Sequence, residues 1–131
     1  MRVKTGRNPR TVHSPVAVYT HQFEVAGSTR WLVIAGQVGR TFAGTVPDDP
    51  IEQVQLALEN LRLNLEAAGM EVGDLVKLNW YLVGQIDIVK RREVTVAWLK
   101  GHVPASTLVY VAALGAPEYR VEIDAWACTS D

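Results

Sequence analysis

Two carboxylates two residues apart on one predicted strand, Glu122 and Asp124, are the first residues in this chain that could act together on a substrate. In extended backbone they share a face and lie ~6.6 Å apart, a spacing open to a paired acid and base. The competing assignment gives Glu122 structural hydrogen bonds at a subunit boundary and leaves Asp124 solvated. Other groups offer less. His13, His21 and His102 have no metal-ligand spacing with one another or with Cys128, so neither a metal nor a cofactor is expected. His102 precedes Val103-Pro104 and reads as a surface residue. Ser106 and Thr107 lack an adjacent base for nucleophilic work. Gly36-Gln37-Val38-Gly39 follows a strand but lacks the spacing and the helix of a phosphate-binding loop. Cys128 has no supporting His or Cys-x-x-Cys partner and is expected to be inert.

These residues sit in a chain of 131, which suits one domain over 1–131. Apolar residues make up 48% and charged residues 21%, a globular balance. The longest apolar run, Leu108 to Pro117, is far short of the ~20 residues that cross a bilayer, so no membrane partner is expected. No apolar stretch follows the N-terminal basic residues as a secretory signal requires. The single cysteine fits a reducing compartment, and a cytoplasmic protein is expected. Net charge is −1, unevenly spread: Arg2, Lys4, Arg7 and Arg10 make residues 1–12 a basic arm without an acid, leaving nine basic against fourteen acidic residues elsewhere. The arm reads as a poorly ordered, solvated terminus. An acidic body repels phosphate backbones, so nucleic acid is not an expected partner.

The elements that must position the candidates follow from periodicity. Tyr19 to Val25 and Trp31 to Val38 read as strands joined in a hairpin through Ala26–Arg30. The second strand alternates Trp31, Val33, Ala35 and Gln37 against Leu32, Ile34, Gly36 and Val38, apolar on both faces. A helix starts with Asp48 or Asp49 as cap and Pro50 in its first turn, and carries a stripe of Ile51, Val54, Leu58, Leu61, Leu65 and Ala68 up to Gly69. Leu75 to Val83 is a strand with Val76, Leu78, Trp80 and Leu82 on one face. Ile86 to Lys100 reads as a second helix capped near Asp87, with Ile86, Val89, Val96 and Leu99 inward. Ser106 to Ala112 and Val121 to Ala127 complete the strands. The order is β-β-α-β-α-β-β, an α/β (α+β) domain with two helices on one face of a mixed sheet. The other face is left apolar and uncovered, which calls for self-association.

Pro104-Ala105-Ser106-Thr107-Leu108-Val109-Tyr110-Val111, then Val121-Glu122-Ile123-Asp124-Ala125, resembles the signature of the RidA/YjgF family, whose founding members deaminate reactive imines and enamines. His13 to Thr20, Val33-Ile34-Ala35-Gly36-Gln37, Ala57 to Leu61 with Leu65 to Gly69, and Val76 to Leu82 are similar to further family segments in the same order. The resemblance covers Ser14 to Ala127. It implies a chorismate-mutase-like subunit, a homotrimer whose sheets line a central barrel, and small-molecule clefts between subunits. It also implies that Glu122 stands at the catalytic glutamate, which places the attacking water, and Tyr19 at the tyrosine lining the cleft. Ser106 stands where the family carries the arginine that grips a substrate carboxylate. Ala35 replaces a serine, Leu108 occupies a cysteine-or-threonine position, and Arg92 falls where asparagine is usual.

The expected cleft is therefore lined by Tyr19, Gln37, Ser106, Tyr110 and Arg92, with Glu122 orienting water. A serine hydroxyl lacks the charge-assisted fork of an arginine, a contact worth roughly 1.5–3 kcal/mol. A standard 2-imino acid deaminase is not expected unless Arg92, Arg40 or Arg120 restores the charge. The leading expectation is a small-metabolite cleft hydrolysing an imine, enamine or related C–N bond. The alternatives are a binding or sensing trimer without turnover and an RNA-interacting protein acting through the arm.

Overall fold

A computed structural model of the chain describes residues 4–27 and 30–130. The longer helix, α1 (Pro50–Ala67), starts where Asp49 accepts a hydrogen bond from the Ile51 amide at 2.9 Å. It ends where the Gly69 and Met70 amides turn back onto the Glu66 and Leu65 carbonyls. Val54, Ala57, Leu58, Leu61 and Leu65 are fully buried along one stripe. Each buried leucine contributes about 1.5–3 kcal/mol. Gln53 is buried beside them because its amide is fully used. Its Nε2 donates to the Pro47 and Glu118 carbonyls at 2.9 Å each, and its Oε1 accepts from the Arg120 amide at 2.8 Å. A Cβ on Gly39 would fall 2.5 Å from the Gln53 Cα, so the chain leaving the strand that ends at Val38 presses directly on the helix backbone.

Four strands form the main sheet: β3 (Arg30–Val38), β4 (Leu75–Leu82), β5 (Ala105–Tyr110) and β6 (Val121–Thr129). Their spatial order is β3-β6-β4-β5, with β4 and β5 parallel and the other pairs antiparallel. Leu78, Trp80 and Leu82 of β4 and Ile123, Ala125 and Ala127 of β6 face α1 and the second helix, α2 (Ile88–Leu99). The two helices and mixed sheet agree with the sequence reading. Among the described residues no helix is long and apolar enough to cross a membrane.

Four expectations change. First, the basic arm is not loose where it is described: Lys4–Arg7 forms a strand, β1, pairing antiparallel with β2 (Gln22–Val25). Lys4 donates to Asp74 at 3.3 Å and to the Cys128 carbonyl at 3.0 Å, while Arg7 pairs with Glu24. Arg2 lies outside the described residues. Second, β2 therefore pairs with β1 in a separate two-stranded sheet and not with β3 as a hairpin. Ser28 and Thr29 of the expected turn also lie outside the described residues. Third, Ile34 pairs with Ala125 and Gln37 with Ile123, which leaves one extra residue on β3. This bulge resets the alternation, so Gln37 leaves the face shared by Trp31 and Val33.

Fourth, α2 is rotated from the expected phase. Val89 and Val96 are exposed, while Val94, Trp98 and Leu99 pack on the core and Arg91 and Thr95 are partly covered. Arg91, Val94, Thr95, Trp98 and Leu99 recur at helical spacing, but an arginine and a threonine sit in the stripe, so apolar pattern alone misplaces it. The opposite face of the sheet is open, with Trp31, Val33 and Trp126 exposed. The Trp31 and Trp126 rings meet edge to face at 6.0 Å.

Candidate functional site

Tyr19 reaches the site through a pinned loop. The Thr20 amide donates to the Pro104 carbonyl at 3.1 Å and its hydroxyl donates to the Val103 carbonyl, fastening the loop to the start of β5. The Tyr19 hydroxyl accepts from the Val16 amide at 3.3 Å, curling the loop around the ring. Tyr19 thereby stands beside Ser106, whose register opposite Leu78 turns it toward the helices. The two residues share a groove of about 250 Å³ with Val16, Val18, Trp80, Arg91, Arg92, Thr95, Val96 and Leu108. Three expected site residues, Tyr19, Ser106 and Arg92, are brought together here.

The groove's charge comes from α2. No Asp or Glu is among the described residues lining it, whereas two arginines are. Arg91 lies over Trp80, its guanidinium carbon 5.9 Å from the ring centroid. Its Nε is buried without a hydrogen-bond partner. No ion pair to Arg91 occurs among the described residues. Burial makes its protonation less favourable than usual, with the neighbouring Arg92 acting in the same direction and Tyr110 opposing. The guanidinium stays charged, because its intrinsic affinity for the proton is so high. Arg91 was not among the residues expected from sequence. Its signal was the 91–94–95–98–99 spacing, with the arginine at the head of the buried stripe.

The other arginines considered as replacements are engaged elsewhere. Arg120 donates through Nε to the Val83 carbonyl at 2.9 Å and through Nη2 to the Gln85 carbonyl at 3.1 Å, bracing the β4–α2 connection. Arg40 donates to the Tyr119 hydroxyl at 3.2 Å.

Glu122 lies on the opposite face of the sheet from Ser106. It stands opposite Val38 and Tyr81 in the strand register, and its carboxylate rests on Gly36, where a Cβ would come within 2.0 Å of Oε2. On this face Asp124 is not solvated as expected. It accepts from the Asn79 amide at 2.7 Å and from the Tyr81 hydroxyl at 3.0 Å. The hydrogen bond to Asp124 holds the Tyr81 phenol above its ordinary range, with burial and the charges of Asp124 and Glu122 adding to the effect. Gln37 is bonded to the Ala35 carbonyl at 2.9 Å, and Tyr110 lines a separate shallow groove with Gly84 to Ile88. Neither joins the Ser106 groove within one chain.

His13 and His21 meet edge to face at 5.2 Å, and His102 bonds the Leu75 carbonyl at 2.6 Å, a structural role for a half-buried ring. Among the described residues no three His, Cys, Asp or Glu side chains gather as a metal would require. Cys128 is buried, and burial pushes its thiol above the usual range, which suppresses thiolate chemistry.

The family model described as Endoribonuclease L-PSP matches residues 11–129. The chain belongs to the RidA/YjgF family. A mouse 2-iminobutanoate/2-iminopropanoate deaminase is 33% identical over 121 residues, covering 89% of this chain and 87% of the relative. The Rid-family protein YyfB of Yersinia pestis is 32% identical, with a TM-score of 0.84 over 98% of this chain and all of its own. The TdcF protein of Escherichia coli, solved with bound serine, is 26% identical, with a TM-score of 0.69 over 96% of this chain and 98% of its own. The groove lies at the start of β5, in the segment whose residues carry the family resemblance.

Proposed function

We propose that this family member is a homotrimer that binds a small metabolite in the Tyr19–Ser106 groove and hydrolyses an imine or enamine C–N bond there. The observation that carries the reading is the convergence of Tyr19, Ser106 and the α2 arginines on one small, mostly apolar groove. Assembly is integral to it. Ser106 and Glu122 occupy opposite sheet faces, so one chain cannot bring both to one ligand, whereas a second copy seated against the groove can supply its own Glu122. The open face carrying Trp31, Val33 and Trp126 gives such copies an apolar surface to bury.

In this reaction a water oxygen bonds to the imine carbon while the Glu122 carboxylate takes a proton from it. The proton passes to the nitrogen, giving an amino alcohol. Its hydroxyl proton then reaches the nitrogen by way of the same carboxylate as the C–N bond breaks, so that ammonia leaves and a carbonyl remains. The related mouse deaminase supports an imine as the substrate. The test is release of ammonia from freshly generated 2-iminobutanoate. Glu122→Gln is expected to slow it by roughly 10²-fold or more, the usual scale for losing a general base. Absence of product from the wild-type protein across a series of imines would overturn hydrolysis.

A second reading, binding without turnover, is favoured by one feature: among the described residues of one chain, no carboxylate lines the groove. Thermal stabilisation by metabolites with no product formed would select it. The arm gives less to an RNA-binding reading, because Lys4 and Arg7 already pair with acids of the same chain.

A further inference from the structure

We propose that Arg91 of α2 is the residue that fixes the anionic end of the ligand, so that the cation missing from position 106 is supplied from the helix across the groove. The inference rests on the groove being the ligand site and assigns the residue of this chain that would hold an anionic group there.

Four observations converge on Arg91. It lines the same groove as Ser106, on the helix wall facing the strand wall. Its guanidinium carbon lies over the Trp80 ring, 5.9 Å from the centroid, which covers one flank of the planar fork. It has no carboxylate partner among the described residues, although Arg62, on the neighbouring helix, has Glu59 and Glu66. Its Nε is buried and unbonded, a state that costs stability unless an acceptor arrives. A half-buried, unpaired guanidinium in a groove with no acid among the described residues of its walls is satisfied by an anion from outside. A carboxylate matches its fork with two parallel hydrogen bonds.

The rest of the groove sets the size and polarity of the ligand. Val16, Val18, Val96 and Leu108 are apolar, and the groove volume is about 250 Å³. That is room for a carboxylate with a chain of a few carbons and one polar substituent near Ser106. Arg92 also lines the groove, but it is exposed, and among the described residues no aromatic ring lies against it.

The experiment compares 2-oxobutanoate with its neutral counterpart 2-oxobutanamide, by calorimetry and by NMR shifts of groove resonances. The wild-type protein is expected to bind the carboxylate more tightly. Arg91→Gln should erase that preference, weakening the carboxylate roughly ten- to a hundredfold while leaving the amide nearly unchanged. Arg91→Gln combined with Ser106→Arg should restore much of it. Equal affinity of the wild type for the two probes overturns the assignment while the groove stands as a binding site. Binding of neither probe, with no groove resonance shifted, overturns the groove reading and the assignment together. Loss of the preference in Arg92→Gln but not in Arg91→Gln transfers the role to Arg92 and overturns it. Should the Arg91 variants fail to fold, phenylglyoxal labelling of the unmodified protein reads the same point. 2-Oxobutanoate should shield Arg91 from modification and the amide should not; unaltered labelling of Arg91 in the presence of bound 2-oxobutanoate overturns the proposal.

Discussion

At the scale of single residues, the uncovered sheet face holds a hydrogen-bonded acid cluster rather than independent surface charges. Tyr81 and Asn79 both donate to Asp124, and Glu122 stands next in the register with its carboxylate on Gly36. Because Asp124 accepts from the Tyr81 phenol, it is the neutral phenol that the fold favours. The phenol's folded pKa is raised above the unfolded value of about 10, so its contribution to stability is complete below that pH. It is lost as pH climbs through the raised folded value. Asp124→Asn should therefore bring the Tyr81 titration back toward about pH 10, read by the ring-carbon NMR shift of that residue. An unchanged titration in the variant would remove Asp124 as the cause. Gly36 has a related role: a methyl there occupies the space of the Glu122 carboxylate. Gly36→Ala is expected to displace Glu122 and lower turnover in the ammonia assay about as far as losing the carboxylate does, with little change in ligand affinity. The family pattern singled out Glu122 and Ser106, and the strand register puts them on opposite faces of the sheet. Sequence reading left Asp124 in solvent because neither Asn79 nor Tyr81 could be placed opposite it until the strand order was known.

At the scale of elements, stability concentrates where α1 meets the loops around it. Gln53 ties the helix to Pro47, Glu118 and Arg120 through three hydrogen bonds in a buried site. Gln53→Leu strands those backbone groups and should destabilise the fold by about 2–3 kcal/mol. That loss corresponds to a fall of roughly 10 °C in Tm by calorimetry. Gly39→Ala should act in the same direction, since its new methyl meets helix backbone, which cannot rotate aside. A neutral result for either would mean the loops relax away from α1 at little cost. The helices, their caps and the β4 alternation were legible because each repeats a simple period over many residues. β1 was not: four residues of mixed polarity carry no period, and only Glu24, Asp74 and the β2 edge reveal why they order. The phase of α2 failed for the reason that makes the helix useful. Its buried stripe opens with Arg91, and a scheme that places charge outside rotates the helix by putting Val89 and Val96 inward.

At the scale of the whole molecule, the open face of the sheet decides whether the chain can work alone. Trp31, Val33 and Trp126 leave an aromatic patch on one side, and no chain segment among those described covers it. Sedimentation should report about three times the 14.4 kDa chain mass. Trp126→Glu should shift the population toward single chains and expose the remaining tryptophans to quenchers. A wild-type protein that sediments as a monomer would remove the shared groove from the account. The opposed placement of Ser106 and Glu122 has a genetic reading. In the proposed assembly, a chain damaged at Glu122 keeps a sound receptor on its own helix side and spoils its neighbour's instead. Chains carrying Glu122→Gln and chains carrying Arg91→Gln, each impaired alone, would regain some fully working centres when expressed together, because a mixed ring juxtaposes an intact half from each.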